Sequence, residues 1–180
     1  MEIRRIDRAG ALSARSQDRR ERMETNLKKH FNASPIHPLR LSYELEQALE
    51  GGTIFLNEQF TADLSPIAFG FRPAHREKIW IGTSGGSLGW GLGAAVGAKI
   101  ARPDVPVVLS IGAGSVMYSA SAFMPMARYQ APVTTVVWNN HNYQTVRSAF
   151  YQLDGSARKK DQYPGMYLGD PEIDFPMLAK

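Results

Sequence analysis

The chain of 180 residues is about the size of one ordinary domain, and its 43% hydrophobic and 10% aromatic content excludes a disordered polymer. With no cysteine it can form neither a disulfide framework nor a thiolate metal site. The net charge of +4 is concentrated at the start, where residues 1–40 carry ten Lys or Arg against five Asp or Glu.

Met1 to Gly10 is charged and lacks the apolar run of a secretory signal. Every later apolar stretch is interrupted before the roughly 20 residues that a membrane span requires. The expectation is a cytoplasmic protein without membrane contact. Residues 1–34 read as a basic linker or arm, with Ser16 to His30 able to form a helix. Such charge suits nucleic acid or an acidic partner, but the interleaved aromatics of a base-stacking surface are missing. A solvated lead-in is the simpler reading, and nucleic acid is not an expected partner.

Pro35 and Pro38 punctuate the end of the arm, and residues 35–180 form the expected globular domain. Leu41, Leu45 and Leu49 recur every fourth residue, which predicts a helix over Leu39 to Leu49 closed by Gly51-Gly52. Thr53 to Leu56 reads as a short buried strand, with the polar pair Asn57-Glu58 at its carboxyl end. Ile79-Trp80-Ile81 leads through a glycine-rich turn into a helix from Leu88 to Ile100. Gly89, Gly93 and Gly97 line one face of that helix, and this predicts close approach of another backbone. Val107 to Ile111 is a strand followed by Gly112-Ala113-Gly114-Ser115. The next helix is expected from about Ser119, with Pro125 awkwardly inside it, and it ends at Ala131-Pro132. Val133 to Trp138 is the last strand, closing on Asn139-Asn140. Trp80, Trp90, Trp138, Tyr118, Phe123, Tyr129 and Phe150 are expected as core or interface aromatics. His30, His37 and His75 lack metal-ligand spacing and suit solvated or capping roles, and His141 reads as a loop residue. Strands and helices in alternation, with apolar β-branched strands, imply an α/β fold: a parallel sheet flanked by helices.

In such a sheet, ligands bind beyond the carboxyl ends of the strands. Three candidate positions lie there: Asn57-Glu58, Gly112 to Ser115, and Asn139 to Asn142. Glycines admit a phosphate to the backbone, and helix-terminal N–H groups favour anionic oxygen. Asn carbonyls are hard oxygen ligands suited to Mg²⁺ or Ca²⁺. A diphosphate bridged by Mg²⁺ satisfies both loops together.

Gly112-Ala113-Gly114-Ser115, then 23 residues, then Asn139-Asn140 resembles the signature of thiamine diphosphate (ThDP)-dependent enzymes of the benzoylformate decarboxylase and acetolactate synthase kind. In that family a Gly-Asp-Gly-Ser turn precedes an Asn pair by about the same distance. Gly85 to Gly89 and Ile173-Asp174-Phe175 extend the resemblance over residues 36–180. It implies the C-terminal diphosphate-binding domain, with Gly114 and Ser115 at diphosphate oxygens. It further implies Asn140 (side chain) and Asn142 (backbone carbonyl) as metal ligands, with Tyr143 and Gln144 closing over the diphosphate. Leu88 would bend the cofactor between its rings, the Gly86 carbonyl would accept from the aminopyrimidine, and Thr61 would add a hydroxyl. ThDP and Mg²⁺ are the implied cofactors. The implied partners are a small-molecule 2-oxo acid or 2-hydroxyacyl substrate and a pyrimidine-binding domain from this or another chain, in a homo-oligomer.

The sequence also departs from the family. Ala113 stands where the family has its metal-ligand Asp, which predicts weakened binding of metal and cofactor. The family continues beyond Ile173-Asp174-Phe175 into a further helix and strand, so a domain truncated at its C-terminus is expected. The glutamate that activates the cofactor belongs to another domain, and none is expected within this chain. Two alternatives stand beside the decarboxylase or lyase reading: a non-catalytic ThDP-fold subunit serving assembly, and a dinucleotide-binding Rossmann domain. The second lacks a clean Gly-x-Gly-x-x-Gly followed by an acid at the required distance.

Overall fold

The structure, a computed structural model, describes residues 8–58, 79–82 and 87–180. These fall into two compact units. One contains α1 (Arg8–His30) and α2 (Pro38–Ala48), and the other contains the sheet and the remaining helices.

α1 is a continuous helix and begins well before Ser16. Its Ala, Arg, Leu, Glu and Met content favours helix, and Arg22 pairs with Asp18 one turn earlier at 2.7 Å. Lys28, Lys29 and His30 in its last turn complement the helix dipole. Among its residues Leu27 is the buried one, and it packs on Leu39 of α2 beside Met23, Phe31 and Tyr43. His37 caps α2: its Nδ1 accepts from the Leu39 N–H at 3.2 Å, and its ring stacks on His30 with centroids 4.4 Å apart. The capping role expected of the histidines is met here.

The second unit is built on four parallel strands in the order β2-β1-β3-β4: β1 (Ile54–Glu58), β2 (Ile79–Gly82), β3 (Val107–Gly112) and β4 (Thr134–Trp138). β1 runs two residues further than the sequence suggested and takes in Asn57 and Glu58. The chain steps from β1 outward to β2, then returns past β1 to β3, so the topology switches direction between β1 and β3. That is where open α/β sheets bind ligands.

α3 (Trp90–Ala101) covers one face of β1 and β3. Leu56, Leu92, Leu109 and Ile111 meet there without solvent exposure, each contributing about 1.5–3 kcal/mol by burial. Only one glycine of α3 explains its presence by crowding. A Cβ on Gly91 would lie 2.7 Å from Glu58 Oε2 and 2.8 Å from Leu109 Cδ1. Gly93 and Gly97 have nothing within 4 Å of a built Cβ, so the backbone approach expected along their face is not found among the described residues.

After β3 the expected helix from Ser119 is divided. α4 (Ala113–Tyr118) starts directly at the strand end, a 3₁₀ turn spans Ala120–Ala122, and α5 is Phe123–Arg128. Pro125 is therefore the third residue of α5, where a backbone N–H has no helical partner to lose. This removes the difficulty the sequence raised. Phe123 packs against the core, while Tyr118, Tyr129 and Phe150 are exposed, which leaves the interface half of the expectation for them. α6 (Gln144–Gln152), α7 (Ser156–Lys160) and α8 (Phe175–Leu178) complete the unit. No helix among the described residues is long and apolar enough to cross a membrane.

Candidate cofactor site

The carboxyl ends of β1, β3 and β4 carry the three loops singled out by sequence. At β3, Gly112 is the N-cap of α4, so Ala113, Gly114 and Ser115 are its first three residues. Their N–H groups precede the point at which helical bonding begins, which gives the turn donors for anionic oxygen. Ala113 is 2% exposed and its side chain offers no ligand atom. Gly114 lies under Tyr143: a Cβ there would come 2.5 and 2.6 Å from ring atoms Cε1 and Cδ1. Glycine is therefore required for the ring to sit where it does. Tyr118 meets the same ring edge-on, with centroids 6.4 Å apart.

At β4, Asn139 and Asn140 fold the chain back on itself. Asn139 Oδ1 accepts from the His141 N–H and Asn140 Oδ1 from the Asn142 N–H, both at 3.0 Å. Asn142 Nδ2 returns a bond to the Asn140 carbonyl at 3.0 Å. These bonds stabilise the left-handed backbone of His141, φ 55°. The downstream chain then pairs with the loop. The Tyr143 N–H donates to the Met166 carbonyl at 2.9 Å, the Leu168 N–H donates to the His141 carbonyl at 2.6 Å, and Asn142 lies opposite Tyr167. The Asn142 carbonyl takes no part in that pairing. Asn140 is exposed, and its Oδ1 retains acceptor capacity beyond the one bond it makes.

Gln144 is directed elsewhere, its amide donating to Ser148 Oγ at 3.3 Å along α6. Leu88 is half-buried in the turn before α3. Gly86 and Thr61 lie outside the described residues.

Sequence reasoning placed Glu58 among the candidate ligand positions at the strand ends but not in the role it takes. Its side chain is fully buried and accepts from the N–H groups of Gly89 and Gly91, each at 2.5 Å. A polar strand end looks like a loop in sequence; the signal available was a Glu on the same face of β1 as Ile54 and Leu56, which pack under α3. This contact also bears on the Rossmann alternative. The N-terminus of the helix after the glycine-rich turn, where a dinucleotide phosphate would sit, already holds a carboxylate.

The donor set fits a diphosphate better than a divalent metal. The turn at Gly114 and the Asn140–Asn142 loop face the same strand edge and are joined by Tyr143. Ala113, between Gly112 and Gly114, brings no side-chain oxygen to this edge. No group of three or more His, Cys, Asp or Glu placed to hold a metal occurs among the described residues.

Comparison with known proteins gives a consistent result. The family described as "Thiamine pyrophosphate enzyme, C-terminal TPP binding domain" matches residues 65–180. The chain is 39% identical over 147 residues to the benzoylformate decarboxylase of Pseudomonas aeruginosa, covering 81% of this chain and 26% of that one. It is 31% identical over 132 residues to an acetolactate synthase large subunit of Mycobacterium tuberculosis, covering 73% and 24%. The solved structure of the thiamine diphosphate-dependent 4-hydroxybenzoylformate decarboxylase of Rhodococcus jostii RHA1 superposes with a TM-score of 0.62 at 30% identity, covering 80% and 26%. The chain thus spans about a quarter of the length of these relatives.

Proposed function

Because the chain belongs to the C-terminal TPP-binding domain family of thiamine pyrophosphate enzymes, we propose that it forms the diphosphate half of a ThDP site in a decarboxylase, synthase or lyase. The substrates in this reading are 2-oxo acids or 2-hydroxyacyl compounds. Gly114 and Ser115 present backbone N–H groups to the diphosphate, and Tyr143 covers them. Asn140 Oδ1 and the Asn142 carbonyl would be the protein's ligands to Mg²⁺, and Gln144, released from Ser148, would join the cover. Leu88 enforces the bend of the cofactor, the Gly86 carbonyl accepts from its aminopyrimidine, and Thr61 adds a hydroxyl to the diphosphate. When bound, the cofactor supplies a carbanion that adds to a substrate carbonyl and stores the electrons of carbon–carbon cleavage. The carboxyl group that activates it comes from a pyrimidine-binding domain of this or another chain, so residues 1–180 alone are not a complete active site. Exposed Tyr118, Met124 and Tyr129 support self-association or docking of that domain.

The observation that carries this reading is the contact of Gly114 with Tyr143 beside the Asn140–Asn142 loop, at the carboxyl ends of the neighbouring strands β3 and β4. The loss of the carboxylate at Ala113 supports a second reading, a subunit that keeps the fold for assembly and binds the cofactor poorly. Calorimetric titration of Mg²⁺–ThDP into the chain and its Ala113→Asp variant separates the two. Expected are weak binding by the chain and a gain on the order of tenfold or more in the variant. Equal, tight, Mg²⁺-dependent binding by both would remove Ala113 from the metal site. Binding by neither would favour the assembly reading.

A further inference from the structure

Glu58 is a fully buried carboxylate that no part of the proposed chemistry uses. Burial of such a group demands hydrogen bonds, and both oxygens have one: Oε1 accepts from Gly89 N–H and Oε2 from Gly91 N–H. Gly89 is the N-cap of α3 with φ 88°, a left-handed conformation, and Leu88 immediately precedes it. The other side of Gly89 is held too, because Ser119 Oγ donates to its carbonyl at 2.6 Å. Ser119 directly follows α4, the helix that opens with Ala113, Gly114 and Ser115. In the sheet Glu58 stands beside Ile111, one residue before Gly112. The turn that carries Leu88 is thus clamped by Glu58 at the end of β1 and by Ser119 behind the diphosphate loop. A Cβ on Gly89 would meet Tyr118 Cβ at 2.7 Å, so the turn lies close against Tyr118 and leaves no room for a side chain there.

We propose that Glu58 is a positioning residue: with Ser119, it sets the height of Leu88 over the diphosphate loop and so the bend imposed on the cofactor. This rests on the reading that ThDP seats against Leu88. Glu58 itself touches neither the cofactor nor the reacting atoms. Its carboxylate is needed because two converging N–H donors require two acceptor oxygens; a glutamine of the same shape offers one, and turns an N–H₂ toward the other donor.

Two measurements on the full chain carrying Ala113→Asp test this. The first needs no cofactor. Amide hydrogen exchange at Gly89 and Gly91 should accelerate by about tenfold or more in Glu58→Gln, with Leu109 and Ile111 unchanged. Unchanged exchange at the two glycines overturns the clamp. The second compares Mg²⁺–pyrophosphate with Mg²⁺–ThDP. Pyrophosphate does not reach Leu88, so its affinity should hold, while ThDP weakens about tenfold, equivalent to about 1.4 kcal/mol. An equal loss of both ligands makes Glu58 a general support of the fold and overturns the positioning role. Ser119→Ala, which removes a half-buried hydroxyl, serves where the Gln variant does not fold; it should shift the same ratio about threefold, and an unchanged ratio counts against the proposal. A parent that binds neither ligand overturns the cofactor reading, and the positioning role with it, while the exchange result still decides whether Glu58 holds the turn.

Discussion

Gly114→Ala tests the packing at the centre of the site. Gly114 is the second residue of α4, and in a helix alanine is favoured over glycine by up to about 1 kcal/mol, less in the first turn. The opposing effect comes from Tyr143. The added methyl would lie 2.5 and 2.6 Å from two ring carbons, well inside contact distance, so the ring must leave. Its backbone cannot follow freely, because the Tyr143 N–H is bonded to Met166, and Tyr118 meets the ring edge-on. Forcing a methyl into such a space costs about 1–3 kcal/mol, reduced here because Tyr143 is half-buried and can swing outward. The net expectation is destabilisation of about 1–2 kcal/mol, roughly a 3–6 °C fall in Tm for a chain of this size. Thermal unfolding followed by circular dichroism, on the single variants and the Gly114→Ala/Tyr143→Ala double variant, measures the coupling. With the ring removed, the alanine should become neutral or stabilising. The reasoning is refuted if Gly114→Ala raises Tm equally with Tyr143 present and absent.

The glycines of α3 should respond oppositely to the same substitution. Gly91→Ala, pressed against Glu58 and Leu109, should destabilise by about 1–3 kcal/mol, whereas Gly97→Ala, with open space around it, should stabilise by up to about 1 kcal/mol; chemical denaturation of the pair reads both signs. In α1 and α2, desolvation and then the nearby His30 hold His37 below its ordinary pKa of 6.5. A group depressed in the folded state favours folding above its unfolded pKa and loses that contribution as pH falls through the folded value. The helix pair should therefore melt lower at about pH 5 than at about pH 7.5, and His37→Asn, which caps without titrating, should flatten that difference. An undiminished pH dependence in the Asn variant would place the titration elsewhere.

The sheet was largely readable from sequence because Val107 to Ile111 and Val133 to Trp138 are apolar, β-branched runs bounded by Gly, Pro and Asn. What escaped was decided by single long-range contacts. Asn57-Glu58 resembles a loop until two amides 31 and 33 positions away supply partners that allow Glu58 to be buried in a strand. The helical stretch expected from about Ser119 is there, but the sequence did not show α4 ahead of it or the 3₁₀ turn that restarts the helix at Phe123 and puts Pro125 in a first turn. The glycine spacing of α3 suggested a packed face, but spacing cannot say which glycine is crowded; Gly89 of that pattern is, Gly93 and Gly97 are not, and Gly91, outside it, is. In the candidate site, the Gly114 turn and Asn140–Asn142 loop were recognisable as motifs. The contact of Tyr143 with Gly114 and the direction of Gln144 toward Ser148 depend on how α6 leaves the loop, which local sequence does not encode.

The pairing of residues 141–143 with Met166 and Leu168 has a consequence for affinity. A loop of two asparagines and a histidine would ordinarily sample many backbone states, and ordering it on a ligand costs about 1–2 kcal/mol per residue in lost conformational entropy. Here that ordering has already occurred on folding, through bonds to chain downstream. In the proposed reading, the metal accompanying an incoming diphosphate would meet acceptor oxygens already near their binding arrangement, so the attraction they offer would not be offset by arranging them. On the proposed reading, such preorganisation would let a site with Ala113 in place of a charged ligand retain measurable affinity.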